Sequence, residues 1–458
     1  MKIRLLYLLF GITLIIACNK DKIYLDTPLD QLLDAALARA AKSGDKNDFI
    51  LPESDDFTAI PQDSHNPLTK EKIHLGKWLF FETGLGLVPN KEAGEKTYSC
   101  ASCHIPAAGF RPGGIQGIAD GGIGFGQNGE GRTKLAAYRP NEMDVQGLRP
   151  LSVLNVAFVE NSTWNGRFGS SGVNIGTENR WLETEGTDLN EEGLAALETQ
   201  NIEGMDLHRM EITEEVLDGY GYRKYFDEAF GDLPEEERYT KRTASFAISA
   251  YLRALITNKA PFQEYLKGDK VALTEQEKRG ALVFFSDAKC YQCHKEANLG
   301  ANEFYALGVK DLYETGQAFN TSAEDTRNLG RGEFTGKEED MYKFRIPQLY
   351  NLGDADFYFH GSSKRTLREV VDYFNEGIPE NNKVPSSQIA RQFRPLNLSK
   401  EQVEDLTAFL DNGLRDPDLL RYEPDFILSG NCFPNNDCLL YTSPSPRDRT
   451  RSRMPSSA

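Results

Sequence analysis

The pattern Cys-x-x-Cys-His occurs twice, as Cys100, Cys103, His104 and as Cys290, Cys293, His294. This spacing lets two thiols add across porphyrin vinyl groups while the adjacent imidazole reaches the iron, so each motif commits the chain to wrapping one haem c. A zinc half-site or a redox dithiol is the competing reading of a single copy. Zinc would need two further ligands close to each motif, and neither motif has them. Two copies 190 residues apart, each with its histidine, point to two covalent haems.

The ends agree with a haem protein assembled outside the cytoplasm. Lys2 and Arg4 precede an apolar run from Leu5 to Ile16, shaped like a secretory signal and too short for a membrane span. Ile15-Ile16-Ala17-Cys18 resembles a lipobox, which predicts a signal over 1–17 and lipidation of Cys18; an ordinary signal with an incidental Cys is the alternative. Periplasmic or cell-surface location through a lipid anchor follows. From about Cys438 the chain turns to Ser, Pro and Arg without apolar periodicity and resembles translated adapter sequence, with a disordered native tail as the alternative. Residues 438–458 are therefore set aside. Cys432 either pairs or stays free.

The formal net charge is −17. That argues against nucleic acid, which requires basic patches, and favours a basic partner such as a small cytochrome c.

The mature length suits two domains. Residues 18–65 read as a tether and a leading helix, with Leu32, Leu33, Ala36 and Leu37 at helical spacing; 426–458 reads as a tail. Between them an internal repeat appears. Gly76 is followed by Phe80-Phe81 before the first haem motif, and Gly280 by Phe284-Phe285 before the second. The repeat predicts two related haem domains, 66–262 and 263–425, mainly α with long irregular loops and little β. Helical apolar spacing also covers 214–230, 242–257, 367–374 and 399–414, and Thr274-x-x-Glu277 and Ser399-x-x-Gln402 are capping boxes. The Gly-rich stretch Pro112–Arg149 is long enough to expect it to line a site.

The motifs "LGKWLFFE", Cys100-x-x-Cys103-His104, "LSVLNVAF…WNGR", "FAISAYLRAL…PFQEYLKGD", Cys290-x-x-Cys293-His294, "FRIPQLYN…FYFHG" and "VEDLTAFLDNGL" follow in an order that resembles the bacterial dihaem cytochrome c peroxidase/MauG family over about 66–415. The resemblance implies an N-terminal haem that reacts with hydrogen peroxide and a C-terminal haem that passes it electrons from a small donor protein. It makes His104 and His294 the proximal iron ligands, Trp164 the coupler between the haems and Arg167 a partner of a haem propionate. Gln200 resembles the residue that holds water or peroxide over the first iron, and His360 the histidine near the second haem.

Four departures qualify the resemblance. No histidine lies between His104 and His208, so loop 112–149 cannot cap the first iron, which leaves that iron open to peroxide. The family's catalytic Glu falls on Met210, leaving Glu211, Glu203 or neutral His208 to move the proton that peroxide cleavage requires. The sixth ligand of the second haem falls on Phe374, with Tyr373, Met341 and His360 as substitutes. Calcium between the domains is doubtful, because Arg149 stands where the family has an Asn ligand. The leading expectation is a lipoprotein peroxidase. A MauG-like oxidase of a protein or organic substrate is second, and a dihaem electron carrier is the non-enzyme alternative. A homodimer, as in many relatives, is left open.

Overall fold

The computed structural model describes residues 26–434; the expected signal 1–17, Cys18 and the segment 438–458 lie outside the described residues. Eleven α-helices follow along them: α1 (Pro28–Ala40), α2 (Lys70–Phe81), α3 (Ala196–Leu207), α4 (Arg223–Phe230), α5 (Glu235–Arg238), α6 (Lys241–Arg253), α7 (Pro261–Leu266), α8 (Glu275–Phe285), α9 (Arg331–Thr335), α10 (Leu367–Glu376) and α11 (Lys400–Ala408). Two small antiparallel ribbons join them, β1 (Gly122–Ile123) with β2 (Thr133–Lys134) and β3 (Ala301–Tyr305) with β4 (Phe344–Ile346). The fold is mainly α, as expected. Thr274 and Ser399 cap α8 and α11 reciprocally with Glu277 and Gln402, again as expected. The expected helix over 214–230 is broken instead: a π-turn over Glu215–Gly219 ends near Gly221, whose φ of 82° no continuing helix accepts.

The Gly-to-Phe-Phe repeat has a packing cause. A Cβ on Gly76 of α2 would come within 1.8 Å of the Ala247 carbonyl oxygen on α6. A Cβ on Gly280 of α8 would come within 2.0 Å of the Asp405 carbonyl oxygen on α11. Each glycine thus lets two helix backbones cross in contact. Four and five residues later the phenylalanine pairs are buried, each in its own apolar core. One core gathers Leu79, Phe80, Tyr251 and Leu255; the other gathers Phe262, Phe284, Phe285 and Phe409.

The chain ends are exchanged between these cores. The leading helix α1 buries Leu33, Ala36 and Leu37 in the second core, where Lys278 of α8 reaches Asp30 at 2.9 Å. Leu419, Tyr422 and Ile427 join the first core. Residues 426–434, expected to begin a tail, are fastened there. The Ser429 hydroxyl donates to Glu82 at 2.6 Å, and the Pro434 carbonyl accepts from Ser99 and Ser102 at 2.9 and 2.8 Å. Cys432 is disulfide-bonded. Apolar spacing shows that a segment has a face to bury; it does not say which core receives it.

Candidate functional site

Both Cys-x-x-Cys-His motifs adopt the same tight turn. The His104 N–H returns to the Cys100 carbonyl at 3.0 Å, and the His294 N–H to the Cys290 carbonyl at 2.9 Å. None of these four cysteines is in a disulfide. Burial pushes the Cys100, Cys103 and Cys290 thiols up to about 12, unlike the depressed thiols of a redox pair. Each histidine donates Nδ1–H to a backbone carbonyl, His104 to Phe110 at 3.2 Å and His294 to Leu299 at 2.7 Å. Nε2 is thereby left for a metal. Burial pushes both imidazoles down to about 4, so they are neutral and able to ligate. Among the described residues no group of three or more His, Cys, Asp or Glu side chains is placed to hold a metal ion.

Beside the second motif opens a cavity of about 790 Å³, lined by Cys293, His294, Phe344, Arg345, His360 and Phe374 among others. Its size and mainly apolar wall fit a macrocycle. Trp164 lines this cavity and also a smaller chamber between the two halves, which Arg111, Arg149 and Arg345 share. The Trp164 indole N–H donates to the Arg149 carbonyl at 2.6 Å.

A second layer of internal repetition surrounds this chamber, and the motif comparison missed it. Arg149 to Asn155 and Arg345 to Asn351 occupy equivalent places. Asn155 and Asn351 share a left-handed backbone (φ 54° and 55°). Their N–H groups donate to Leu255 and Leu414, at the ends of the two crossing helices. Thr163 (φ 71°) and Phe359 (φ 66°) are likewise equivalent, which makes Trp164 and His360 counterparts. The Arg149 N–H donates to the His360 carbonyl at 2.8 Å, and the Arg345 N–H donates to the Trp164 carbonyl at 2.9 Å. The signal was present in "RPLSVLN" and "RIPQLYN", but two shared residues in a stretch of seven are too few to notice without geometry.

On α3, Gln200 and Glu203 lie one turn apart on one face. The Gln200 side chain makes no hydrogen bond among the described residues. Glu203 packs beneath Gly186, and burial raises its carboxyl above the usual range while Arg167 pulls the other way. Arg167 makes no ion pair among the described residues and lies over the Phe168 ring. Glu211 is partly exposed and paired with Lys241 at 2.8 Å. His208 Nδ1 meets Asp144 of the Gly-rich loop at 2.7 Å.

At the second site, Phe374 lines the cavity, whereas the Tyr373 hydroxyl donates to the Leu307 carbonyl at 2.7 Å. Met341 packs against Gly332. His360 stacks on Phe344 with centroids 3.6 Å apart, and its Nε2 meets Asp311 at 3.3 Å. Arg149 is buried and donates to the carbonyls of Pro112 and Gly114.

Residues 70–271 match the family of di-haem cytochrome c peroxidases. The chain is 28% identical to methylamine utilization protein MauG of Methylorubrum extorquens, over 81% of this chain and 84% of that protein. It is 25% identical to cytochrome-c peroxidase IdrP1 of Pseudomonas sp. (strain SCT), over 86% and 94%. A solved MauG-like protein associated with microbial copper homeostasis shares the fold, with a TM-score of 0.57 at 24% identity over 81% of this chain and 96% of that one. Residues 70–271 place this part of the chain in the di-haem cytochrome c peroxidase family. The chain is a c-type dihaem peroxidase with two covalent haems, peroxide as oxidant and a cytochrome as electron donor.

Proposed function

We propose that the two haem units, 66–262 and 263–425, divide the work unequally, the first meeting hydrogen peroxide and the second refilling it with electrons. When bound, the haems supply two-electron reduction of the O–O bond at one iron and electron storage at the other. His104 and His294 hold the irons through Nε2, and the four cysteines anchor the rings. The observation that carries the reading is the free side chain of Gln200 on the helix face it shares with Glu203, in a chain with no histidine between His104 and His208 to close the first iron. Gln200 orients peroxide or water there. The proton that cleavage requires is moved by Glu203 on α3 or by His208 or Glu211 just beyond it. Arg167, a half-buried cation without an ion pair among the described residues, receives a propionate of the first haem. Trp164 couples the two haems, and His360 borders the second.

The protein is exported to the periplasm or cell surface and anchored by lipid on Cys18. Among the described residues no helix is long and apolar enough to cross a membrane. Calcium stays outside the proposal, because the Arg149 guanidinium takes the Pro112 and Gly114 carbonyls beside it.

The test is steady-state peroxide consumption with reduced cytochrome c, together with electron paramagnetic resonance of the resting protein. A high-spin signal with donor-dependent turnover is expected. Two low-spin six-coordinate haems that ignore peroxide in the half-reduced state would overturn the reading. The 28% identity to MauG favours, as a second reading, oxidation of a protein or organic substrate, which predicts substrate oxidation without donor turnover.

A further inference from the structure

Arg345 is buried and lines both the second haem's cavity and the chamber between the halves. Its Nε donates to the Thr163 carbonyl at 3.1 Å, and its backbone N–H donates to the Trp164 carbonyl. Its terminal nitrogens make no hydrogen bond, and the side chain no ion pair, among the described residues. Burial pushes the guanidinium down to about 10 with no charged group set against it. In a chain with 69 Asp and Glu against 52 Lys and Arg, such isolation is costly. The other cations lining the cavity, Lys289, Arg391 and Arg394, are all exposed. A haem anchored through its vinyl groups to Cys290 and Cys293 carries two propionates on the opposite edge of its ring.

We infer that Arg345 is a positioning residue that binds a propionate of the second haem through its free guanidinium nitrogens while holding the Thr163-Trp164 backbone, so that one side chain joins the second haem to its coupling tryptophan. The inference rests on the dihaem reading for the identity of the group, but its test does not depend on peroxide turnover.

The holoprotein is compared with Arg345→Met and Arg345→Lys, each checked for two haems by pyridine haemochrome. In Arg345→Met, losing a nearby cation favours the ferric state, so the midpoint potential of the second haem falls and transfer between the haems slows severalfold. In Arg345→Lys the charge survives but the fork does not. The potential then stays near native, transfer still slows, and the propionate bending mode in resonance Raman shifts. An unchanged potential in Arg345→Met at full haem content overturns the inference. Should that variant fail to load haem, an unshifted propionate mode in Arg345→Lys overturns it instead. A native potential that moves with added acetate would assign the site to a free anion, which also overturns it.

Discussion

Trp164 and His360 face each other across the junction of the two halves, ring centroids 6.1 Å apart and planes at 73°. They hold equivalent positions in the internal repeat, and each offers its backbone carbonyl to the arginine of the opposite half. The duplication therefore placed an indole in one half where the other has an imidazole. Trp164 spends its N–H on the Arg149 carbonyl, leaving its ring between the chamber and the second cavity.

Replacing Trp164 with Phe keeps an aromatic ring of similar placement but removes that hydrogen bond. Stability should fall by about 1 kcal/mol, while transfer between the haems slows far more than such a loss would explain. Chemical denaturation and rapid-mixing spectroscopy of the half-reduced protein measure the two effects. Unchanged transfer would remove Trp164 from its assigned place.

Glu203 and Glu211 make opposite predictions. Burial raises the Glu203 carboxyl above the ordinary value of 4.5, so its basic form is lost as pH falls through a point above that value. The peroxide reaction should show an acid limb there. Glu203→Gln should abolish the limb and slow the reaction by roughly 10²–10⁴-fold, the usual worth of a general base. Because the raised carboxyl disfavours folding once ionised, the same variant should not lose stability at neutral pH. Glu211→Gln, which breaks only the pair with Lys241, should leave the limb in place; the reverse pattern would give the proton to Glu211.

Gly76→Ala and Gly280→Ala each drive a methyl into a helix backbone, at separations of 1.8 and 2.0 Å before any adjustment. Each should cost about 1–3 kcal/mol or more, as overpacking does. Haem loading should suffer at the unit concerned, first for Gly76 and second for Gly280. Thermal melting and haem content of the two variants check both points.

Cys18→Ala should release the protein from membranes without changing its haem spectrum. Fractionation of expressing cells tests this, and continued membrane association of the variant would argue for an uncleaved signal as anchor.

The haem attachments were legible at once, because a covalent bond to a vinyl group tolerates little variation in spacing. The capped helices α8 and α11 were legible for a similar reason, since a capping box is a local exchange of hydrogen bonds. The glycine of each repeat was visible as a letter, but its purpose appeared only when α6 and α11 were seen lying on it. Glu211 looked nearest to the expected catalytic position by counting, yet it pairs with Lys241 at the surface, whereas Glu203 is the carboxylate that burial perturbs. Counting along a chain cannot report burial.

By itself, then, the sequence determined that two haems are covalently carried, that each follows a glycine-bearing helix, and that no histidine follows the first motif closely enough to close it. Those properties reside in short segments whose chemistry is local. Only the tertiary structure decided that the leading helix serves the second core, that the trailing segment serves the first, and that Arg345 is buried without a charge partner beside Trp164. These depend on segments nearly 200 or more residues apart meeting in space. Burial and the company a charge keeps are properties of that meeting.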